Sequence, residues 1–413
     1  MIQYDPISVG EVLRKIRKSK GLRLGDLADE NISTATLSNI ERGTLRVKYE
    51  KVDYIINKLG LTMQELPEYI AKEQKNQEHV KSFLGMAESL VNMGCEESAY
   101  NMVKNMDVQD ESSHASLFYW ITGSYYMRKK KYEKAEVHFH NAIRTSARSR
   151  FTSDSNIEAY AFKDLGRCSY YQNDLQKALL FTDSGLDAYD PDGERNHIKY
   201  ILLRNKSIYL ERLGRIAEAF KIVQDVWSNI HRIDHIETLV SLYWLKSELL
   251  RKTSSFKESV YTAQEGIHKA GVNKLKSFST NLWVTLGSSY RSLKELEKAE
   301  VCYDIAMRLA ESTEMSNPYI RACISVSYLC MDRKDWDKAE VHLGKAIEKA
   351  KENECHFYLI DAYMASGILY NLQGFKDEAI ANFRLAIKVA DEYNYPQVPL
   401  PLNILTLLDL KRN

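Results

Sequence analysis

Along residues 8–19, SVGEVLRKIRKS, apolar Val9, Val12, Leu13 and Ile16 recur at helical spacing, while Arg14, Lys15, Arg17 and Lys18 take the other faces. That is the pattern of a helix with one buried stripe. Gly21 suits the C′ position that closes it. LGDLADE at 24–30 predicts a short second helix with Leu24, Leu27 and Ala28 inward, and Asn31-Ile32 a turn. Ser33 is a good N-cap for a third helix, TATLSNIE at 34–41, in which Leu37 and Ile40 face inward and Gly43 follows the end. YEKVDYIINKL at 49–59 predicts a fourth helix, and MQELPEYI at 63–70 opens a fifth. The polar run AKEQKNQEH at 71–79 reads as a linker.

Beyond it the pattern repeats. GSYYMRKKKYEKAEVHFHNAI (123–143), GSSYRSLKELEKAEVCYDIAM (287–307), SYLCMDRKDWDKAEVHLGKAI (327–347) and GILYNLQGFKDEAIANFRLAI (367–387) share small and aromatic positions followed by a key alanine. The key positions are Ala135, Ala178, Ala219, Ser259, Ala299, Ala339 and Ala379, the last five spaced by 40 residues. Weaker units fall at 160–188, 201–230 and 241–270, and an irregular first unit at 80–106. Pro191, Pro318 and Pro396 are expected between units, and 396–413 as a C-terminal capping helix. The small residues let the two helices of a unit approach, and the aromatics fill the space between units.

Composition narrows the class. Only 7 prolines and 18 glycines in 413 residues favour long helices, and the expected fold class is all-α. A net charge of +1 excludes a wholly basic nucleic-acid coat but not a basic patch. The six cysteines form no C-x-x-C and are expected as reduced thiols of a cytoplasmic protein. No run of 18 apolar residues exists, so no membrane span is expected. P-loop, G-x-G-x-x-G, G-x-S-x-G and H-E-x-x-H patterns are absent; no enzyme, cofactor or metal is expected. His138 and His140, two residues apart on a helix, point to different faces.

The first seventy residues, and LSNIERG at 37–43 above all, resemble the five-helix helix-turn-helix domain of the Xre/phage-repressor type. The resemblance implies that the third helix lies in the DNA major groove. Thr34, Ala35, Thr36 and Asn39 would then face bases, with Asn39 able to pair with adenine. Ser38, Arg42, Arg46 and Lys48 would neighbour phosphates, helped by Arg23 where the family's Gln is replaced by Leu24. Glu41 is expected to tie helix ends. The basics of the first helix either approach phosphate or form a solvated face.

The repeats resemble the tetratricopeptide repeat, a helix pair that stacks into a right-handed superhelix with a concave groove. The standard repeat has about 34 residues, so each helix here is expected to be longer. The expected domains are a helix-turn-helix domain at 1–70, a linker at 71–79, seven to eight repeats at 80–395 and the cap at 396–413. Groove positions of the repeat family map onto Arg167, Tyr171, Arg204, Asn205, Arg212, Trp244, Glu248, Arg251, Asn281, Ser288, Arg321, Tyr328 and Asp361. Asn offers both a donor and an acceptor to a peptide backbone, Arg forks onto carboxylates, and Trp and Tyr line pockets. Trp283 and Tyr119 are expected in the core.

The two parts together resemble the RRNPP peptide receptors of Gram-positive bacteria, in order and length most like the NprR and PlcR branch. By that resemblance the chain is a quorum-sensing transcription regulator, a homodimer or higher oligomer that binds double-stranded DNA at an inverted repeat. A short signalling peptide in the groove would alter its DNA binding. Two alternatives are a Rap-like scaffold or phosphatase modulator that docks a response regulator, and a constitutive repressor with a dimerising solenoid.

Overall fold

The computed structural model describes residues 5–44, 48–110, 112–148, 155–312, 316–393 and 395. Among these the structure is all-α, with one isolated bridge between Asp29 and Ile32. The chain divides into two compact units, 1–108 and 109–413.

The first unit contains α1 (Pro6–Ser19), α2 (Leu24–Leu27), α3 (Thr34–Glu41), α4 (Tyr49–Lys58), α5 (Leu66–Asn92) and α6 (Glu96–Val103). Asp5 and Ser33 cap α1 and α3 through their side chains. Gly10 lets α1 lie against the end of α3: a methyl group there would sit 2.5 Å from the Ile40 carbonyl oxygen. Val12, Leu13, Leu27, Leu37, Ile40, Ile56 and Leu66 form the buried centre. Two expectations change. α2 stops at Leu27, because the Asp29 carboxylate accepts from the backbone of Asn31 and Ile32 and holds a turn there. Residues 71–79 are not an extended linker; they continue α5, whose start is fixed by Pro67 in its first turn. The irregular first repeat expected at 80–106 corresponds to α5 and α6, with Ala99 fully buried, and it belongs to the first unit.

The second unit holds seven helix pairs: α7 (Ala115–Arg128) and α8 (Tyr132–Arg148); α9 (Ile157–Tyr171) and α10 (Leu175–Asp187); α11 (Ile198–Arg212) and α12 (Ile216–Trp227); α13 (Ile236–Lys252) and α14 (Phe256–Val272); α15 (Lys276–Ser292) and α16 (Leu296–Ser312); α17 (Ser316–Asp332) and α18 (Trp336–Glu352); α19 (His356–Gln373) and α20 (Lys376–Glu392). From α13 on, the helices are 17 or 18 residues long, which gives the 40-residue period. First helices pack on first helices of neighbouring pairs, and each second helix packs on the first helix that follows it. This is the stacking of a tetratricopeptide-repeat superhelix. Pro318, expected between repeats, lies in the first turn of α17, where a missing N–H is tolerated. The 396–413 cap lies outside the described residues.

All seven key positions are fully buried. Ser259, the one hydroxyl among them, donates to the Ser247 carbonyl at 2.7 Å and meets Ser289 Oγ at 2.8 Å, so no polar group is stranded. The small first-helix residue is matched to its second-helix partner in most pairs, while α9 sets Gly166 against Thr182. Gly123, Gly287 and Gly367 lie under Phe139, Tyr303 and Phe383, where an added methyl would come within 2.6, 2.7 and 2.3 Å of the ring. Where the second-helix position holds Val223, Ala263 or Leu343, the first helix carries Ser207, Ser247 or Ser327. Every first helix of the seven is followed by a residue of positive φ: Lys130, Asn173, Gly214, Ser254, Lys294, Lys334 and Gly374.

Gly367→Ala is expected to destabilise the protein by about 1–3 kcal/mol through overpacking against Phe383. Lys334→Gly is expected to stabilise it by up to about 1 kcal/mol by relieving a left-handed backbone. Denaturant melts of the two variants beside the wild type check both signs.

Candidate functional site

In the first unit, α3 turns Leu37 and Ile40 into the core and leaves Thr34, Ala35 and Asn39 exposed, with Thr36 and Ser38 half-buried. Exposed Arg42 follows the helix; it donates to the Ser38 carbonyl and to Asn39 Oδ1 at 3.3 Å. Arg23 and Lys48 are exposed before α2 and α4, and Arg46 lies outside the described residues. Glu41 has a different task. Both its oxygens accept from Arg17, at 2.5 and 2.9 Å, and Arg17 also donates to the Leu22 carbonyl. Arg17 is buried and is therefore not available to a phosphate. Lys15 pairs with Glu73 and Lys20 donates to the Leu59 carbonyl, so these first-helix basics act within the fold.

In the second unit the first helices face the interior, and the predicted groove residues fall into groups. Glu248 and Arg251 on α13, Asn281 on α15 and Arg321 on α17 form one network. Arg251 and Arg321 bind the two Glu248 oxygens at 2.6 and 2.7 Å, and the Thr285 hydroxyl donates to it at 3.0 Å. Arg321 also reaches the Asn281 carbonyl and side chain. Burial opposes the Glu248 charge, but Arg251 and Arg321 outweigh it and hold its pKa well below the ordinary carboxylate range. Trp244 lies 5.6 Å from the Arg321 guanidinium, and its indole N–H is buried without an acceptor.

A second group joins α9, α11 and α13. Arg204 donates to Asn205 Oδ1 at 2.8 Å and to Ser241 Oγ at 3.4 Å. Asn205 Nδ2 is buried and has no acceptor. Arg167 pairs with the buried Asp164 at 3.1 Å. Tyr171, at the end of α9, is half-exposed and stacks on Tyr132.

Two predicted residues stand apart. Ser288 donates within α15 and meets Tyr303 OH at 3.1 Å, so it packs the helix pair together and is not free for a ligand. Tyr328 lies under Arg291, which is itself paired with Asp332 at 2.6 Å. Trp283, expected in the core, is partly buried beside an apolar recess of about 620 Å³, between the second helices α14 and α16, that Ile267, Leu286 and Val301 also line. Tyr119, also expected in the core, is partly buried and its hydroxyl donates to Asp110 at 2.7 Å.

Sequence reasoning put Arg212 and Asp361 on the groove face but missed the aromatic pair, Phe357 and Tyr358, that Arg212 meets across the interior. Arg212 on α11 lies 3.6 Å from the Phe357 ring centroid on α19 and reaches Tyr358 OH at 3.5 Å. The superhelix thus turns far enough for its third and seventh pairs to touch. Asp361, one turn on, has its pKa pushed up to about 6 by burial, against the pull of Arg212 and Lys252. Asp164 was missed too, although a lone acid between Lys163 and Arg167 in an otherwise apolar helix was a usable signal.

The tetratricopeptide repeat family profile matches residues 280–313, which span most of α15 and all of α16. No curated protein matches the sequence. Several solved structures share the fold. Aspartyl phosphate phosphatase F from Bacillus subtilis is 12% identical and aligns over 97% of this chain and 98% of its own, at a TM-score of 0.56. The Rap conjugation gene regulator of plasmid pLS20, in complex with the Phr* peptide, is 13% identical over 95% and 98%, also at 0.56. A Rap protein complexed with Competence and Sporulation Factor is 11% identical over 78% and 100%, again at 0.56. The chain thus has an all-α tetratricopeptide-repeat fold, shared with these three structures.

The Asp361 shift gives a pH signature. Its folded pKa of about 6 lies above the ordinary 3.8, so the stabilising contribution is complete below about pH 4 and is lost as pH rises through 6. Asp361→Asn is expected to raise the melting temperature at pH 7.5 and to change it little at pH 4. Thermal melts of variant and wild type at both values check this.

Proposed function

We propose that the chain is a cytoplasmic, peptide-responsive transcription regulator. Its first unit reads duplex DNA through α3, its repeats bind a short signalling peptide in the interior, and the peptide alters DNA binding. The observation that carries the reading is the pairing of two unfinished surfaces. α3 is anchored by Leu37, Ile40 and the buried Arg17–Glu41 pair, yet shows short polar side chains at Thr34 and Asn39 to solvent. The interior holds buried donors without acceptors, Asn205 Nδ2 and Trp244 Nε1. Folded chains satisfy such groups, and a peptide backbone carries the carbonyls that do so.

In this reading Thr34, Ala35, Thr36 and Asn39 meet base edges, while Ser38, Arg42, Arg46, Lys48 and Arg23 hold phosphates. A homodimer places two such faces on an inverted repeat. Two of the Rap structures with this fold contain a bound Phr* peptide or the Competence and Sporulation Factor, which supports a peptide in the interior here. Coupling requires that peptide bind two arrangements of the protein with different affinity. Arg212 against Phe357 and Tyr358 is a contact that such a change in superhelix pitch would make or break.

The test is selection of duplexes from a random pool by the purified full-length protein, with and without short peptides. A preferred inverted repeat is expected. Asn39→Ala should relax the preference at one position per half-site by about 1–3 kcal/mol. Asn205→Ala should remove the peptide response while leaving DNA binding without peptide intact. Absence of any preferred duplex sinks the regulator reading; peptide binding without DNA preference would favour a scaffold that docks a protein such as a response regulator.

A further inference from the structure

The two groups of interior cations differ in what neutralises them. Around Glu248, Arg251 and Arg321 each bind the carboxylate directly, and the hydroxyl of Thr285 completes it. Each guanidinium of that network has a carboxylate in direct contact. Around α9 and α11 the cations are Lys163, Arg167 and Arg204. Their buried acid, Asp164, is 1% exposed and already accepts from Trp120 Nε1 at 2.8 Å and lies 3.1 Å from both Lys163 Nζ and Arg167 Nη1. Arg204 binds only neutral oxygens, those of Asn205 and Ser241. Glu237, the nearest other acid acting on it, is exposed. Burial lowers the pKa of His235, which faces the same group. Of these five interior cations, Arg204 is therefore the one with no carboxylate in direct contact.

Beside that cation is a second, independent sign. Asn205 is 5% exposed; its oxygen is taken by Arg204 and its amide nitrogen has no acceptor. A guanidinium without a counter-charge and an amide without an acceptor both destabilise an empty interior. Burial and then the Arg167 charge bring the Arg204 pKa down to about 10, in keeping with an excess of positive charge.

We propose that Arg204 and Asn205, with Lys163 behind them, form an anion subsite that takes a carboxylate of the bound peptide, whereas the Arg251–Glu248–Arg321 network is closed to one. The inference rests on the peptide reading above and narrows it: the ligand is a peptide that brings either a free C-terminus or an Asp or Glu side chain to the junction of α9 and α11. Arg204 supplies a forked, charge-assisted contact, and Asn205 Nδ2 supplies the neighbouring donor.

The probe is a pool of short synthetic peptides in three arms. The first arm has a free C-terminal carboxylate and no acidic side chain. The second has a C-terminal amide and one Asp or Glu. The third has a C-terminal amide and no acid. Full-length protein is mixed with the pool, and retained peptides are read by mass spectrometry after gel filtration. One of the first two arms is expected to be enriched about tenfold or more over the third, as a charge-assisted contact warrants. Which arm it is tells the terminal source from the side-chain source. Arg204→Met should erase the enrichment and Arg204→Lys should keep part of it. The melting temperature of peptide-free Arg204→Met should equal or exceed that of wild type, because an unpaired interior charge has gone. Retention of all three arms alike, or an enrichment that survives Arg204→Met, overturns the subsite and leaves the peptide reading standing. A fall of several degrees in the Arg204→Met melt assigns Arg204 to the packing and also overturns it. Retention of no arm removes the peptide reading itself, and the subsite with it.

Discussion

The distance between the two helices of each pair is set by one small residue on the first helix and the residue it faces on the second. Where that residue is Phe139, Tyr303 or Phe383, the first helix carries glycine and no methyl could be added without a clash. Seven such pairs, stacked through fully buried small residues, make a solenoid in which each pair buries the apolar faces of the next. Lengthening the helices to 17 residues keeps this contact and extends it by about a turn. The stacking then accumulates rotation until α11 and α19 meet through Arg212, Phe357 and Tyr358. The enclosed interior is a consequence of local packing repeated seven times, and no single contact builds it.

An interior of that kind sets strict terms for charge. An ionised side chain buried there must find a partner within the wall or shift its pKa. Glu248 meets the terms fully: two guanidinium groups and a hydroxyl complete it, and its neighbours tie α13, α15 and α17 together. Asp164 does the same for α7 and α9 through Trp120, Lys163 and Arg167. Asp361 and Arg204 do not, and their displaced pKa values of about 6 and about 10 follow from burial without a direct counter-ion. Both lie in the interior, which is where a site for an outside molecule differs from a structural ion pair.

Much of this was legible along the chain, because helix periodicity and the repeat are local. The helix pairs, the seven key small residues and the inward first helices follow from residues three, four and 40 positions apart. Ser33 as the cap of α3 and Glu41 as a structural acid were readable for the same reason. Errors came where a turn or a distant partner decided the outcome. α2 ended early because Asp29 bent the chain, and polar 71–79 stayed helical because nothing in it breaks a helix already begun at Leu66. The fate of each interior polar residue was not legible at all. Ser288 and Asn205 fit the same groove pattern, yet Tyr303 occupies the first and nothing occupies the amide of the second. Phe357 and Tyr358 become interior partners of Arg212 only through the superhelix pitch, which no single repeat encodes.

The contrast between α3 and the interior bears on how the two units divide the work. α3 needs little from its exposed face to fold: its core contacts, its cap and the Arg17–Glu41 pair hold it, and Asn39 adds only the 3.3 Å contact from Arg42. A face of that kind can change its side chains without losing stability, which suits the reading of sequence. The repeat interior is the reverse. Its polar groups are embedded in the packing, and those left unmet destabilise the empty state until something meets them. Binding there returns stability to the wall itself, because Arg204 and Asn205 sit on α11 between α9 and α13. In the proposed peptide reading, a ligand that satisfies them stiffens three consecutive pairs at once, around the helix α11 that also meets α19 across the interior.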